Sequence, residues 1–224
     1  MLEPKTKTQF SFESLLSWAG KFTPQFKFKM SSARRQLEPD AFDTFVRDTL
    51  QVFRQVLCHL AALPPGGARA RATFALMDAS NDAPDTVSCG VGCNACCRMF
   101  AKEVTNDEAD LLASLVKSGE VSIDIEAVRT DARALESSDP DVRRAAQHAA
   151  CPFLDEEGGC KVYAARPSVC RKYYSLSPRE SCATQDAPVV PHISLMPELI
   201  ASAAMTLPGN DTGLLQSQLV KRLG

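Results

Sequence analysis

Apolar positions recur at helical spacing along most of this chain, and strand-like alternation is scarce. The clearest periodic stretch opens at Pro39, a residue suited to a first helical turn. It carries Phe42, Phe45, Val46, Phe53, Val56, Leu57 and Leu60 on one face, up to the breaker Pro64-Pro65-Gly66-Gly67. Upstream, Phe10 before Ser11 with Leu15 beyond predicts a hydrophobic staple and a short helix ending at Gly20; Lys21 to Met30 then alternates aromatic and basic residues and is expected to be extended. A shorter helix is predicted from about Ala68 to Met77. Thr105-Asn106-Asp107-Glu108 is a capping box for a helix bearing Leu111, Leu112, Leu115 and Val116, with Gly119 just past its end. Asp124 to Leu135 and Pro140 to Ala150 read as further helices, the second capped by Asp139. Cys151 to Leu154 and Cys160 to Tyr163 flank Asp155-Glu156-Glu157-Gly158-Gly159, the pattern of a small hairpin. Pro167 is expected to start a helix presenting Cys170, and Cys182 to sit in the loop after Pro178. Pro197 to Leu207 and Gly213 to Leu223 close the chain as helices.

The pattern predicts a mainly α-helical fold with a cysteine-rich metal-binding centre and a small β-hairpin. Residues 1–85 read as a basic aromatic arm with helices, 86–185 as the cysteine-cluster domain, and 186–224 as C-terminal helices packing on the same core. At 224 residues, 45% apolar and 23% charged, the chain can bury a core of its own. A net charge of −2 argues against nucleic acid as a partner. Residues 1–36, however, hold seven Lys or Arg against two Glu, together with five phenylalanines and Trp18. Such an arm is expected to pack on its own domain; docking to an acidic protein partner or an anionic membrane surface is the alternative.

Eight of the nine cysteines form two groups: Cys89, Cys93, Cys96 and Cys97, then Cys151, Cys160, Cys170 and Cys182. Four plus four thiols is metal-ligand arithmetic. No apolar run of signal-peptide or membrane-spanning length is present, so a cytoplasmic chain is expected, where reducing conditions favour metal ligation over disulfides. Cys58 alone reads as a small buried hydrophobe in a helix. Cys93-x-x-Cys96 lets one tight turn aim two sulfurs at one ion. Adjacent Cys96 and Cys97 are expected to diverge, with Cys97 serving a second ion or bridging two. Eight thiolates and two divalent ions leave a charge of −4, for which Arg98, Lys102, Lys161, Arg166, Arg171 and Lys172 are the candidate compensating cations. Two Cys₄ zinc sites and two iron–sulfur cubanes satisfy this count equally. The three histidines are not needed as ligands, and Tyr163, Tyr173 and Tyr174 read as shielding rather than catalytic groups.

Cys89-x-x-x-Cys93-x-x-Cys96 is formally the spacing of radical S-adenosylmethionine enzymes. Those enzymes place it after the first strand of a large βα barrel with an aromatic before the last cysteine; here Ala95 stands there and no run of βα units follows. The linked motifs Cys89-Gly-Val-Gly-Cys93-Asn-Ala-Cys96-Cys97-Arg98, Cys151-Pro-Phe-Leu154, Gly159-Cys-Lys-Val-Tyr163 and Arg166-Pro-Ser-Val-Cys-Arg171 resemble instead the YkgJ-type, or CxxCxxCC, cysteine-cluster proteins over about residues 86–185. One spacing departs: three residues, not two, separate Cys89 from Cys93. The resemblance implies an eight-cysteine zinc- or iron-chelating domain. It also reaches the cysteine region of flagellin lysine methylases, which implies an iron–sulfur enzyme or accessory subunit in S-adenosylmethionine-dependent lysine methylation as the enzymatic alternative. The only G-x-G, Gly90-Val91-Gly92, lies inside the cysteine motif and lacks the rest of a nucleotide fingerprint. A thiol redox sensor is the third class.

Overall fold

The computed structural model of this chain describes residues 22–90, 92–99, 101–184 and 188–224. The predicted helix between Ser11 and Gly20 lies outside them. The described helices are α1 (Pro24–Gln36), α2 (Pro39–Ala61), α3 (Gly67–Ala79), α4 (Asn106–Lys117), α5 (Ile125–Leu135), α6 (Pro140–Gln147), α7 (Ser168–Arg171), α8 (Arg179–Ala183), α9 (Leu195–Thr206) and α10 (Leu215–Leu223). Two-stranded antiparallel ladders join β1 (Glu103–Thr105) to β4 (Thr212–Leu214), and β2 (Tyr174–Ser175) to β3 (Pro191–His192). None of the described helices is long and apolar enough to cross a membrane.

Two apolar clusters organise these elements. The first joins α1, α2 and α9 through Phe22, Phe26, Met30, Phe53, Leu60, Leu199, Ile200 and Leu207. Phe22 stacks on Phe26 at 5.1 Å and tilts against Phe53 at 5.4 Å, so this part of the aromatic arm is core of its own fold. The second gathers Phe74 of α3, Leu111, Leu112 and Leu115 of α4, Val128 of α5, Leu215 and Leu219 of α10, and Phe153 and Val162 from the cysteine region. At about 1.5–3 kcal/mol for each fully buried large side chain, the two clusters dominate the favourable side of folding.

Local chemistry explains where the pattern held. In α4 the Thr105 hydroxyl accepts from the Glu108 amide while Glu108 reaches back to the Thr105 amide at 2.8 Å, completing the capping box. The periodic face of α2 is buried at Phe42, Val46, Phe53, Val56 and Leu60.

Four expectations are corrected. Residues 24–30 are helical, not extended: Thr23 caps α1 by accepting from the Phe26 amide at 3.1 Å, Pro24 fits the first turn, and Phe26 and Met30 fall one turn apart on the buried face. Cys58 is exposed, because the buried stripe of α2 runs through Val56 and Leu60 and leaves position 58 on the outer face. Cys182 lies in α8 rather than in a loop. The hairpin at 151–163 reduces to a turn closed by a single antiparallel bridge, Leu154 to Cys160.

A candidate metal centre

Three segments carry the thiols, and backbone bonds lock them together. The first is the loop from Cys89 into the 3₁₀ turn Ala95–Arg98, where the Cys93 amide bonds the Gly90 carbonyl and the Cys97 amide the Asn94 carbonyl. The second is the 151–160 turn, joined to the first because the Cys151 amide donates to the Cys97 carbonyl at 2.8 Å. The third runs from α7 to α8, and α8 packs on the 95–98 turn. Glu108 of the capping box accepts the Ser168 amide at 2.7 Å, so a helix start legible in the sequence also seats the segment bearing Cys170. Arg171 is a structural strut: its guanidinium pairs with Asp78, lies 4.4 Å over Phe74 and donates to the Arg166 and Ala164 carbonyls.

Each of the eight cysteines lies within electrostatic reach of at least one other. Cys93, Cys96, Cys97, Cys151, Cys160 and Cys170 line one cavity of about 80 Å³, shared with Lys102, Tyr163 and Arg166. Cys89 faces Cys93, Cys96 and Cys182 beside it, and the Ser175 amide donates to the Cys89 sulfur at 3.3 Å. Cys96 is the hub, sensed by Cys89, Cys97, Cys151, Cys160 and Cys170. The expected divergence of Cys96 and Cys97 does not occur: in the 3₁₀ turn their side chains hydrogen-bond each other. That bond pushes the donor thiol Cys96 up and brings the acceptor Cys97 down. Burial raises Cys89, Cys151 and Cys160, and pushes Cys170 up to about 12.

Of the six flanking cations, Lys102 stands apart. It is 3% exposed, donates to the Cys96 carbonyl, and its charge opposes the rise at Cys96, Cys151 and Cys170. Arg166 acts likewise on Cys160. Lys172 is engaged by Glu198 at 2.6 Å, Lys161 donates to the Ser122 carbonyl and Arg98 is exposed. Tyr173 lies close to Cys182, Cys96 and Cys89, and burial raises its phenol; Tyr174 accepts from Asn81 at 2.7 Å.

The donor set suits a soft or borderline metal, because it offers sulfur alone and a positive charge behind it. Size agrees: about 80 Å³ falls well below the roughly 300–1,000 Å³ of small-molecule sites, so the cavity suits ions rather than an organic cofactor. Among the described residues no three Cys, His, Asp or Glu side chains already form a closed shell.

Sequence reasoning missed a second, larger cavity of about 590 Å³. Residues 168–173 form the partition: Cys170 faces the small cavity, while Ser168, Val169, Lys172 and Tyr173 face the large one. Glu198, a lone carboxylate in the apolar run Leu195 to Ala204, was the available signal for a buried polar cluster there.

Gly158 ties the first two thiol segments. Its φ is +85°, and a Cβ there would collide with the Asn94 Nδ2 that donates to the Gly158 carbonyl. Gly158→Ala is expected to cost about 1–3 kcal/mol and to speed metal loss to a chelator. Gly119→Ala, also at positive φ but with open space around its Cβ, is the control and is expected to lose stability without the metal effect.

A helical scaffold that lines an ion-sized cavity with six thiols has the build expected of a chelating centre. Residues 88–188 match the family model CxxCxxCC, described as "Putative zinc- or iron-chelating domain". Comparison with curated proteins and with solved structures gave no match.

Proposed function

We propose that this chain is a metal-binding protein holding zinc or an iron–sulfur cluster through Cys89, Cys93, Cys96, Cys97, Cys151, Cys160, Cys170 and Cys182, with residues 86–185 as the metal-carrying unit. The observation that carries the reading is the small cavity lined by six thiols with buried Lys102 at its wall. A bound metal would supply sulfur-ligated cross-links between the three segments, and with iron, electron transfer. The chain's own part is to bring the sulfurs together, exclude water with Phe153 and Val162, and favour thiolates by charge. Metal analysis of anaerobically purified protein tests it. Stoichiometric zinc without colour, or iron and sulfide with visible charge-transfer absorbance, supports the reading; reversible thiol oxidation with no metal overturns it in favour of a redox sensor.

The larger cavity favours a second reading, an iron–sulfur enzyme or accessory subunit in S-adenosylmethionine-dependent methylation, because its volume lies in the range of small-molecule sites one residue layer from the thiols. Equilibrium dialysis with S-adenosylmethionine decides it, and absence of binding removes it.

Lys102 gives the centre a directional pH dependence. A cation that lowers thiol pKa values favours the ligating thiolate, so removing it makes protons better competitors for sulfur. Lys102→Met is therefore expected to release metal at a pH about one unit higher on acidification, one unit being 1.36 kcal/mol. Lys102→Arg should stay near wild type, and equal release curves for all three proteins would show that its charge does not act on the centre.

A further inference from the structure

Arg166 holds a buried donor with nothing to bond. Its Nε is enclosed, yet it has no hydrogen-bond partner, one of only two such side-chain atoms among the described residues. Buried N–H groups in folded proteins are almost always paired, and leaving one unpaired costs about 1–3 kcal/mol. The side chain is not loose: its guanidinium lies 4.4 Å over the Tyr163 ring, and its backbone carbonyl is gripped by Arg171 Nε at 2.9 Å. It shares the wall of the small cavity with Cys160, Cys151 and Cys170. Its charge acts on Cys160, and no carboxylate pairs with it among the described ion bridges. For a buried cationic N–H in a wall shared with thiols, the matching acceptor is a sulfur that has lost its proton, because a neutral thiol is a poor acceptor and a thiolate a charge-assisted one.

We propose that Arg166 is a positioning residue whose Nε–H donates to a cysteinate sulfur of the metal-loaded centre, Cys160 being the nearest candidate. The inference rests on the metal-binding reading above and assigns within it a donor that orients one ligand, as outer hydrogen bonds do at other metal sites. Tyr163 serves as the platform that holds the guanidinium plane in place.

The test uses the full chain loaded with zinc or, as a spectroscopic probe, with cobalt(II). Arg166→Met and Arg166→Lys are titrated against a competing chromophoric chelator, and the thiolate-to-cobalt charge-transfer band is recorded. Loss of a hydrogen bond raises the energy of the sulfur lone pair. Arg166→Met is thus expected to bind about 10- to 100-fold more weakly and to shift the band to longer wavelength. Arg166→Lys, which restores charge but not the fixed Nε–H, should keep the red shift even where it recovers affinity. Unchanged affinity and an unchanged band overturn the proposal, as does weakened affinity with an unmoved band, which would place Arg166 in the fold alone. A wild-type chain that takes up neither metal overturns the metal-binding reading, and this assignment falls with it; uptake with unaltered variants overturns only the assignment.

Discussion

Cys96→Ser is expected to weaken the protein's hold on metal and to lower its melting temperature by roughly 6–12 °C. The reasoning starts from position. Cys96 is the thiol that five other cysteines sense, and it sits on the 3₁₀ turn against which α8 packs. Serine keeps the volume and removes the soft ligand, so the loss falls on coordination rather than packing. Structural zinc contributes apparent free energies of about 10–16 kcal/mol in small domains, and one ligand in four is worth about 3 kcal/mol of that. For a chain of this length about 1 kcal/mol moves the melting point by roughly 2–4 °C. Cys58→Ala provides the contrast: exposed on α2, it should change stability by no more than about 0.5 kcal/mol and leave metal content intact. Metal stoichiometry and calorimetry on the two variants check both statements, and a Cys96→Ser protein with full metal and an unmoved transition would remove Cys96 from the ligand set.

What the sequence could reveal depended on whether the determining interactions were local. The α2 stripe and the Thr105–Glu108 capping box are written within one or two turns, and both stand as read. The helical nature of residues 24–30 was equally local, in Thr23-Pro24, yet alternating Phe and Lys mimics a strand and masked the cap. The β1–β4 ladder was illegible for a different reason: three-residue strands whose partners Glu103 and Leu214 are far apart in sequence carry almost no pattern of their own. Cysteine count and spacing pointed to a centre, but spacing does not say which sulfurs meet. Cys96 and Cys97 converge because a 3₁₀ turn, not an extended pair, carries them. The distinction among the six flanking cations was also a matter of tertiary contact, since Arg171 and Lys172 adjoin Cys170 in sequence yet are engaged by Asp78 and Glu198.

Glu198→Ala is expected to destabilise the protein by about 3–5 kcal/mol, the range for removing one partner of a buried ion pair. Glu198 is 2% exposed, and its Oε2 accepts from Lys172 Nζ and from the Thr23 hydroxyl, both at 2.6 Å. That hydroxyl also caps α1, while the Thr23 amide donates to Ser202 of α9 at 3.3 Å. One carboxylate therefore joins the start of α1, the first turn of α9 and the residue two positions after Cys170. Alanine leaves an ammonium buried without its counter-charge and a hydroxyl without its acceptor, and desolvation of the stranded charge is the larger penalty. The double variant Glu198→Leu with Lys172→Met removes both charges and should recover most of the loss, so the cycle separates the stranded charge from the packing. Chelator challenge of the same proteins asks whether the clamp reaches the thiols. Because Lys172 and Cys170 share a short segment between the two cavities, Glu198→Ala is expected to lose metal faster than wild type at equal temperature. Equal rates of metal loss would mean that α7 holds Cys170 through Glu108 and Arg171 alone.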